Sequence, residues 1–260
     1  MMKGFARPIR VNVHRPLPSD AVLRRGSITR KGRRWFVNIN IETSKVGERH
    51  SGTGGALGVD VGVRSVAAFS DGILFGAVQP GTSRLAELRR ASRALARCRR
   101  GSKRRQKLRA RLARVHERTA NLRATRLHRL SATIARSYST IYVEQLAVAN
   151  MTRSAKGTPD VPGTNVAAKA ALNRSILDAG LARLFQLLGY KCERSGSRLV
   201  RVDARGTSQD CSGCGTKVPK ALSVRTHHCP ACELVLDRDV NAARNVLARG
   251  LALDRADAGV

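Results

Sequence analysis

Acidic and aromatic residues are both scarce in this chain. Its 260 residues carry 49 Lys or Arg against 18 Asp or Glu, a formal net charge of +31, and only 3% Phe, Trp or Tyr. So few acids exclude a surface balanced by its own ion pairs and point to a polyanionic partner, nucleic acid first among them. So few aromatics exclude binding dominated by base stacking, so contacts should fall mostly on phosphates and depend strongly on salt. Long hydrophobic runs are missing too: none reaches the roughly 18 residues needed to cross a bilayer. Met1 to Pro8 lacks the apolar stretch of a secretory signal, so no membrane partner is expected and a cytoplasmic location is. Six cysteines, four of them in two Cys-x-x-Cys pairs, suit a metal site in a reducing compartment better than disulfides.

What is present reads as α/β. Residues 1–50 read as β, with alternation over Pro8–Val13 and Trp35–Ile41 and a hairpin turn at Lys31–Arg34. So little strand cannot close a barrel alone. Thr43–Gly55 reads as a linker. Ala56–Gly62, Ser65–Ser70 and Ile73–Phe75 then form a three-strand meander with Asp60 on its first strand. Residues 82–137 predict two long helices broken near Gly101-Ser102, with apolar residues recurring at Leu108, Leu112, Val115, Leu122, Leu127, Leu130 and Ile134. Ser139–Glu144 is a strand ending in an acid, and Met151–Val166 a mobile loop. Leu172–Leu188 predicts one amphipathic helix, Lys191–Val202 one or two strands, and Asp239–Arg249 a last helix ended by Gly250.

Between residues 81 and 137, 19 Lys or Arg face only Glu87 and Glu117. A solvated helix face usually mixes signs to gain i,i+4 pairs, and this one does not. A basic hairpin lying against a nucleic-acid duplex is expected, with Arg89, Arg93, Arg97, Arg100, Lys103, Arg104, Arg105, Lys107 and Arg111 as candidate contacts. An idle charged face is the ordinary alternative.

Cys211-x-x-Cys214 and Cys229-x-x-Cys232 are separated by 14 residues, the spacing of a zinc ribbon in which four thiolates converge on one ion. Four cysteines leave no open position for water, so the zinc would be structural. His227 and His228 are alternative ligands, phosphate contacts or bystanders; Cys98 and Cys192 have no partner at ligand spacing.

Asp60, Glu144 and Asp239 are separated by 84 and 95 residues, each on or beside an apolar strand or at a helix start. Singly, each has an ordinary reading: a turn acid, a strand cap, or, for Asp237 or Asp239, a helix N-cap. Together, the order of elements is that of an RNase H-like mixed sheet. There the first strand is central, the Glu-bearing strand lies beside it, and the last helix meets their ends. Three gathered carboxylates call for hard cations, Mg²⁺ or alternatively Mn²⁺. Two such ions, about 4 Å apart, would activate water and stabilise the leaving oxygen in phosphodiester hydrolysis.

These segments together resemble the TnpB family, transposon-encoded relatives of the miniature type V CRISPR nucleases. Leu57–Gly62 resembles that family's first RuvC-like motif, Ile141–Leu146 its second, Thr207–Gly215 its zinc-binding stretch and Asp237–Asn245 its third motif; Leu172–Asp178 is a further similar segment. The resemblance implies an RNA-guided DNA endonuclease taking its guide RNA from the transposon end and cutting double-stranded target DNA. It also implies a prokaryotic, nucleoid-associated protein. Catalysis would rest on Asp60, Glu144 and Asp239 binding two Mg²⁺, with one Zn²⁺ on Cys211, Cys214, Cys229 and Cys232. The implied domains are a partial wedge-like β-barrel segment at 1–50, a RuvC-like nuclease at 56–205 and 237–250, a zinc ribbon at 206–236 and a tail at 251–260. Family members carry a longer leading region, so a missing N-terminal lobe or a second copy is an expected further partner. The alternative function is a non-cleaving, basic RNA/DNA-binding regulator or relic.

Overall fold

Alternating β-branched, aromatic and polar residues form the first strands. The computed structural model describes residues 10–13, 16–31, 34–44, 54–76, 82–221 and 223–258. The chain divides into two units, Met1–Glu48 and Arg49–Val260. In the first, β1 (Val22–Lys31) and β2 (Arg34–Glu42) pair antiparallel from Val22↔Glu42 to Lys31↔Arg34, with a bulge between Leu23 and Arg25. Arg24 pairs with Glu42, and Arg30 lies 5.5 Å from the centre of the Trp35 ring.

In the second unit a meander of β3 (Gly54–Asp60), β4 (Ser65–Phe69) and β5 (Leu74–Gly76) leads into two helices, α1 (Thr82–Ala96) and α2 (Lys103–Ser137). Ser102 caps α2, its Oγ accepting from the Arg105 amide at 3.2 Å. Then come β6 (Tyr138–Glu144), α3 (Val148–Met151), α4 (Val166–Ala179), α5 (Leu181–Ser195) and β7 (Arg198–Val202). The chain continues with β8 (Thr226–His228), β9 (Val235–Asp237) and α6 (Arg238–Ala258). The sheet order is β5-β4-β3-β6-β7, parallel across β3, β6 and β7 and antiparallel through the meander. It is a mixed α/β fold with β3 at the centre, and its central strands are covered on both faces, which is why they read as near-continuous apolar runs.

Strand periodicity divides the side chains between two layers. Leu57, Val59, Ile141 and Val143 pack with Leu130 and Ile134 of α2 and Leu184 and Leu188 of α5. Tyr142 and Val202 face the other way, onto Val246 and Leu247 of α6. That helix sits directly on the strand backbone: a Cβ on Gly58 would lie 2.1 Å from the Ala243 carbonyl oxygen. One on Gly250 would lie 2.0 Å from the Tyr142 ring.

Several expectations are corrected. Arg10–Val13 are exposed and form no strand, whereas Val22–Lys31 does; alternation without a ladder partner makes no sheet. Pro8 and Ile9, like the expected turn residues Gly32 and Arg33, lie outside the described residues. The single helix over 172–188 is two, because Gly180 between them takes φ 72°, which no α-helix contains. Lys191–Ser195 belongs to α5, with Cys192 buried on its apolar face, so only β7 is strand. Gly250 does not end the last helix and 251–258 is not a tail. Gly250 makes room for Tyr142 in mid-helix, and the extra turns bring Asp254 to the Tyr142 hydroxyl and to Arg198.

Candidate carboxylate site and cysteine centre

Parallel pairing of β3 with β6 runs through Gly58↔Tyr142 and Val59↔Val143, so Asp60 and Glu144 end adjacent strands abreast. By the same period-2 alternation both lie on the α6 side of the sheet. Glu144 is 6% exposed, and Asp60 is half-buried. Asp60 is pushed well above the usual carboxylate range, by burial first and then by the charges of Glu144 and Asp239; its carboxyl group is hydrogen-bonded to Glu144. Burial also raises Glu144, against the hydrogen bonds of Thr207 and Asp60 and the charge of Arg249.

The third acid comes from the first turn of α6. Asp237 caps that helix, its Oδ1 accepting from the amides of Asp239 at 2.8 Å and Val240 at 3.4 Å. Of the two aspartates, Asp237 is thereby spent on the helix end, and Asp239, the acid named as a ligand from the sequence, acts by its charge on Asp60 and Glu144. Asp239 is raised by burial first and by Asp237 next, while Arg225, Arg238 and Arg64 pull it down; the Arg225 guanidinium is 3.9 Å away. The three are hard oxygen donors, each raised above its ordinary pKa by burial first and by a neighbouring carboxylate as well, and a divalent cation among them would offset that desolvation. The trio is looser than the cysteines. Among the described residues only the cysteines form a group of three or more with all ligand atoms within 4.8 Å.

The cysteine cluster is built from two matching turns. Gly215 N–H donates to Cys211 O at 2.8 Å, and Glu233 N–H donates to Cys229 O at 2.9 Å. The residue after each second cysteine is left-handed, Gly215 at φ 77° and Glu233 at φ 58°. Cys211 and Cys232 bring their Sγ atoms to 3.6 Å, as do Cys214 and Cys229. A tetrahedral ion with Zn–S bonds of about 2.3 Å requires sulfur atoms about 3.8 Å apart, so the four thiols can hold such an ion. His227 is buried and is not part of this group.

The sequence reading missed how this cluster is tied to α6. Asn241 Oδ1 accepts from the Ser212 amide at 3.0 Å, and its Nδ2 donates to Asp210 O at 2.8 Å. One turn on, Asn245 Nδ2 donates to Thr207 O at 2.8 Å and Asp210 O at 2.7 Å. Arg249, a turn further, reaches Asp203 O at 2.9 Å and Asp210 Oδ2 at 3.0 Å. The available signal was the i,i+4,i+8 spacing of polar residues on an otherwise Ala- and Val-lined helix face.

In the basic hairpin Arg89, Arg93, Arg97, Arg100, Lys103, Arg104, Lys107 and Arg111 are exposed. Arg105 is different: half-buried, it donates to Leu95 O and Cys98 O at 3.0 Å each, closing the carbonyl end of α1. Its head group serves the helix corner, so it differs from the phosphate contact expected of it. No helix among the described residues is long and apolar enough to cross a membrane.

Two family models match the chain, "Probable transposase" over residues 36–155 and "Cas12f1-like, TNB domain" over residues 182–246. "Putative RNA-guided DNA endonuclease InsQ" of Escherichia coli (strain K12) is 35% identical over 233 residues, 89% of this chain and 58% of that one. A "Putative RNA-guided DNA endonuclease" of Streptomyces pristinaespiralis is 35% identical over 260 residues, 98% of this chain and 60% of that one. The chain thus spans only 58–60% of the length of these curated relatives. A cryo-EM structure of a CRISPR-Cas12f ternary complex aligns over 85% of this chain and 44% of that chain, at 18% identity and a TM-score of 0.46, too distant to bear on the site. The transposase model covers the strands that carry Asp60 and Glu144, the second model covers the cysteines and Asp239, and the chain belongs to the TnpB/IS605 transposase family.

Proposed function

We propose that this chain forms the catalytic part of an RNA-guided, metal-dependent DNA endonuclease of a transposable element. In this reading the five-stranded sheet with α6 is an RNase H-like, RuvC-like nuclease domain. The observation that carries it is the placement of Asp60 and Glu144 abreast on parallel strands, with Asp239 acting electrostatically on both. Asp60, Glu144 and Asp239 would hold two Mg²⁺, with Mn²⁺ as a substitute. Bound there, the ions supply an activated water and charge stabilisation at the leaving oxygen.

The carboxylates would act as ligands and not as proton donors. Arg225 stands 3.9 Å from Asp239 and adds positive charge at the rim, where a scissile phosphate would approach. Cys211, Cys214, Cys229 and Cys232 would hold a structural Zn²⁺ with no open position. The exposed arginines and lysines of α1 and α2 would contact the phosphates of the guide RNA and the double-stranded target DNA. The cell compartment is the cytoplasm, with the protein on the nucleoid when bound to DNA.

The test is cleavage of guide-matched DNA by protein purified with transposon-end RNA. Mg²⁺ is omitted or added without a chelator, so that the cysteine-bound metal stays in place. Cutting should require Mg²⁺ and fall by about 10³-fold in Asp60→Ala, a loss of several kcal/mol of charge stabilisation. Equal cutting by Asp60→Ala would sink the reading. Tight, salt-sensitive RNA binding with no cutting by the wild type would leave the non-cleaving nucleic-acid binder in its place.

A further inference from the structure

We propose that Thr207 is a positioning residue whose hydroxyl fixes the orientation of the Glu144 carboxylate, tying the carboxylate site to the turn that the cysteines hold. The proposal rests on the reading of Glu144 as a cation ligand. Thr207 is 3% exposed, and its Oγ1 donates to Glu144 Oε1 at 2.6 Å. The same hydroxyl lies 3.0 Å from Ala204 O. A hydroxyl has one proton to donate, and the shorter contact to a carboxylate is the stronger.

Thr207 itself cannot drift. Its carbonyl accepts from Asn245 Nδ2 at 2.8 Å and from Asn241 Nδ2 at 3.4 Å. Asn241 also takes the amide of Ser212, next to the buried Cys211, at 3.0 Å. A chain of contacts therefore runs from Cys211 and Ser212 through Asn241 and Thr207 to Glu144. Ligand orientation by an outer hydrogen bond is a general means of tuning cation affinity. Here the orienting group belongs to the cysteine-bearing segment, 63 residues from the acid it holds.

The test uses the 260-residue chain and Mn²⁺ alone as probe, with binding measured by electron paramagnetic resonance, alongside zinc content and thermal unfolding. Thr207→Val keeps the side-chain shape and removes the hydroxyl. It should weaken Mn²⁺ binding about tenfold while leaving zinc content at the wild-type level. Thr207→Ser should restore most of the affinity, and the Mg²⁺ needed for half-maximal cutting should follow the same order. Wild-type Mn²⁺ affinity in Thr207→Val, or no rescue by Thr207→Ser, overturns the proposal. Loss of zinc from Thr207→Val also overturns it, because the hydroxyl would then serve the turn and not Glu144. Asp60→Ala separates this from the wider reading. If it binds Mn²⁺ as well as the wild type, the carboxylate site falls and Thr207 with it; if only Thr207→Val is unaffected, the Thr207 proposal falls alone.

Discussion

The four cysteines lie within 22 positions of one another, on two turns of like construction, and their ligand atoms all come within 4.8 Å. The three acids span 180 positions, come from two strands and a helix, and stay looser than that. A turn hydrogen bond across four residues preforms each Cys-x-x-Cys pair, so sequence spacing predicts the cluster well. Nothing local holds the acids. Their separation is set by strand register, by how closely α6 can approach the sheet, and by which of Asp237 and Asp239 caps the helix. Soft thiolates and hard carboxylates also select different cations, so the two centres can lie side by side without competing.

Breaking the cysteine side should produce the largest effect, since structural zinc contributes about 10–16 kcal/mol to folding in small zinc modules. Cys211→Ser is expected to drop zinc below about half a mole per chain. Hydrogen exchange should lose protection over residues 207–237 while β3 and β6 stay protected. Equal loss in those strands would show that the two regions do not fold independently.

The converse break is Gly58→Ala. The added methyl meets the Ala243 carbonyl, a backbone atom, and must push α6 off the sheet. Overpacking of that kind costs about 3 kcal/mol, which is roughly 6–12 °C in Tm for a chain of this size. Zinc content should not change.

Asp60→Asn sharpens the contrast by a smaller amount. Asp60 is raised in the folded protein by burial and by the like charges of Glu144 and Asp239. The folded state then holds more protons than the unfolded one, so stability falls as pH rises from the ordinary carboxylate range towards the raised pKa. At neutral pH without added Mg²⁺, the neutral amide should raise Tm by roughly 2–4 °C, the effect of about 1 kcal/mol. The gain should vanish at low pH, where Asp60 is protonated anyway. A destabilised Asp60→Asn would mean that burying the charged carboxylate beside its like-charged neighbours is not the dominant strain at this site.

The smallest effect compares the two turns of the cluster. Glu233 occupies the left-handed position that Gly215 fills in the other turn. Glu233→Gly relieves roughly 1–2 kcal/mol of backbone strain and returns roughly 0.5–1 in chain entropy. A net gain of about 0.5 kcal/mol should appear as about twofold tighter zinc retention against a chelator.

The long helices were legible because Leu127, Leu130 and Ile134 recur at the helical period, and the meander because a turn signal at Asp71-Gly72 separates apolar runs. Gly180 and Gly250 show where that reading failed. Gly180 breaks a pattern that looks continuous, and Gly250 sits inside a helix it was expected to end. Both are glycines near an amphipathic run, and only the neighbour tells them apart: Gly180 turns the chain, while Gly250 admits the Tyr142 ring. The hydrogen-bonding roles of Thr207, Asn241 and Asn245 escaped notice for the same reason, since their partners lie 29–63 residues away.

By itself the sequence determined the positive charge, the thiol cluster and the identity of three candidate acids. Charge is a sum over residues, and a Cys-x-x-Cys turn closes on local hydrogen bonds. Only the tertiary structure decided the register that sets Asp60 abreast of Glu144, the depth to which the two are buried, and the reach of the Asp239 charge to both. Those outcomes depend on parallel register and on the depth to which α6 settles on Gly58. The raised pKa of each acid follows from the burial and neighbouring charges that this packing creates.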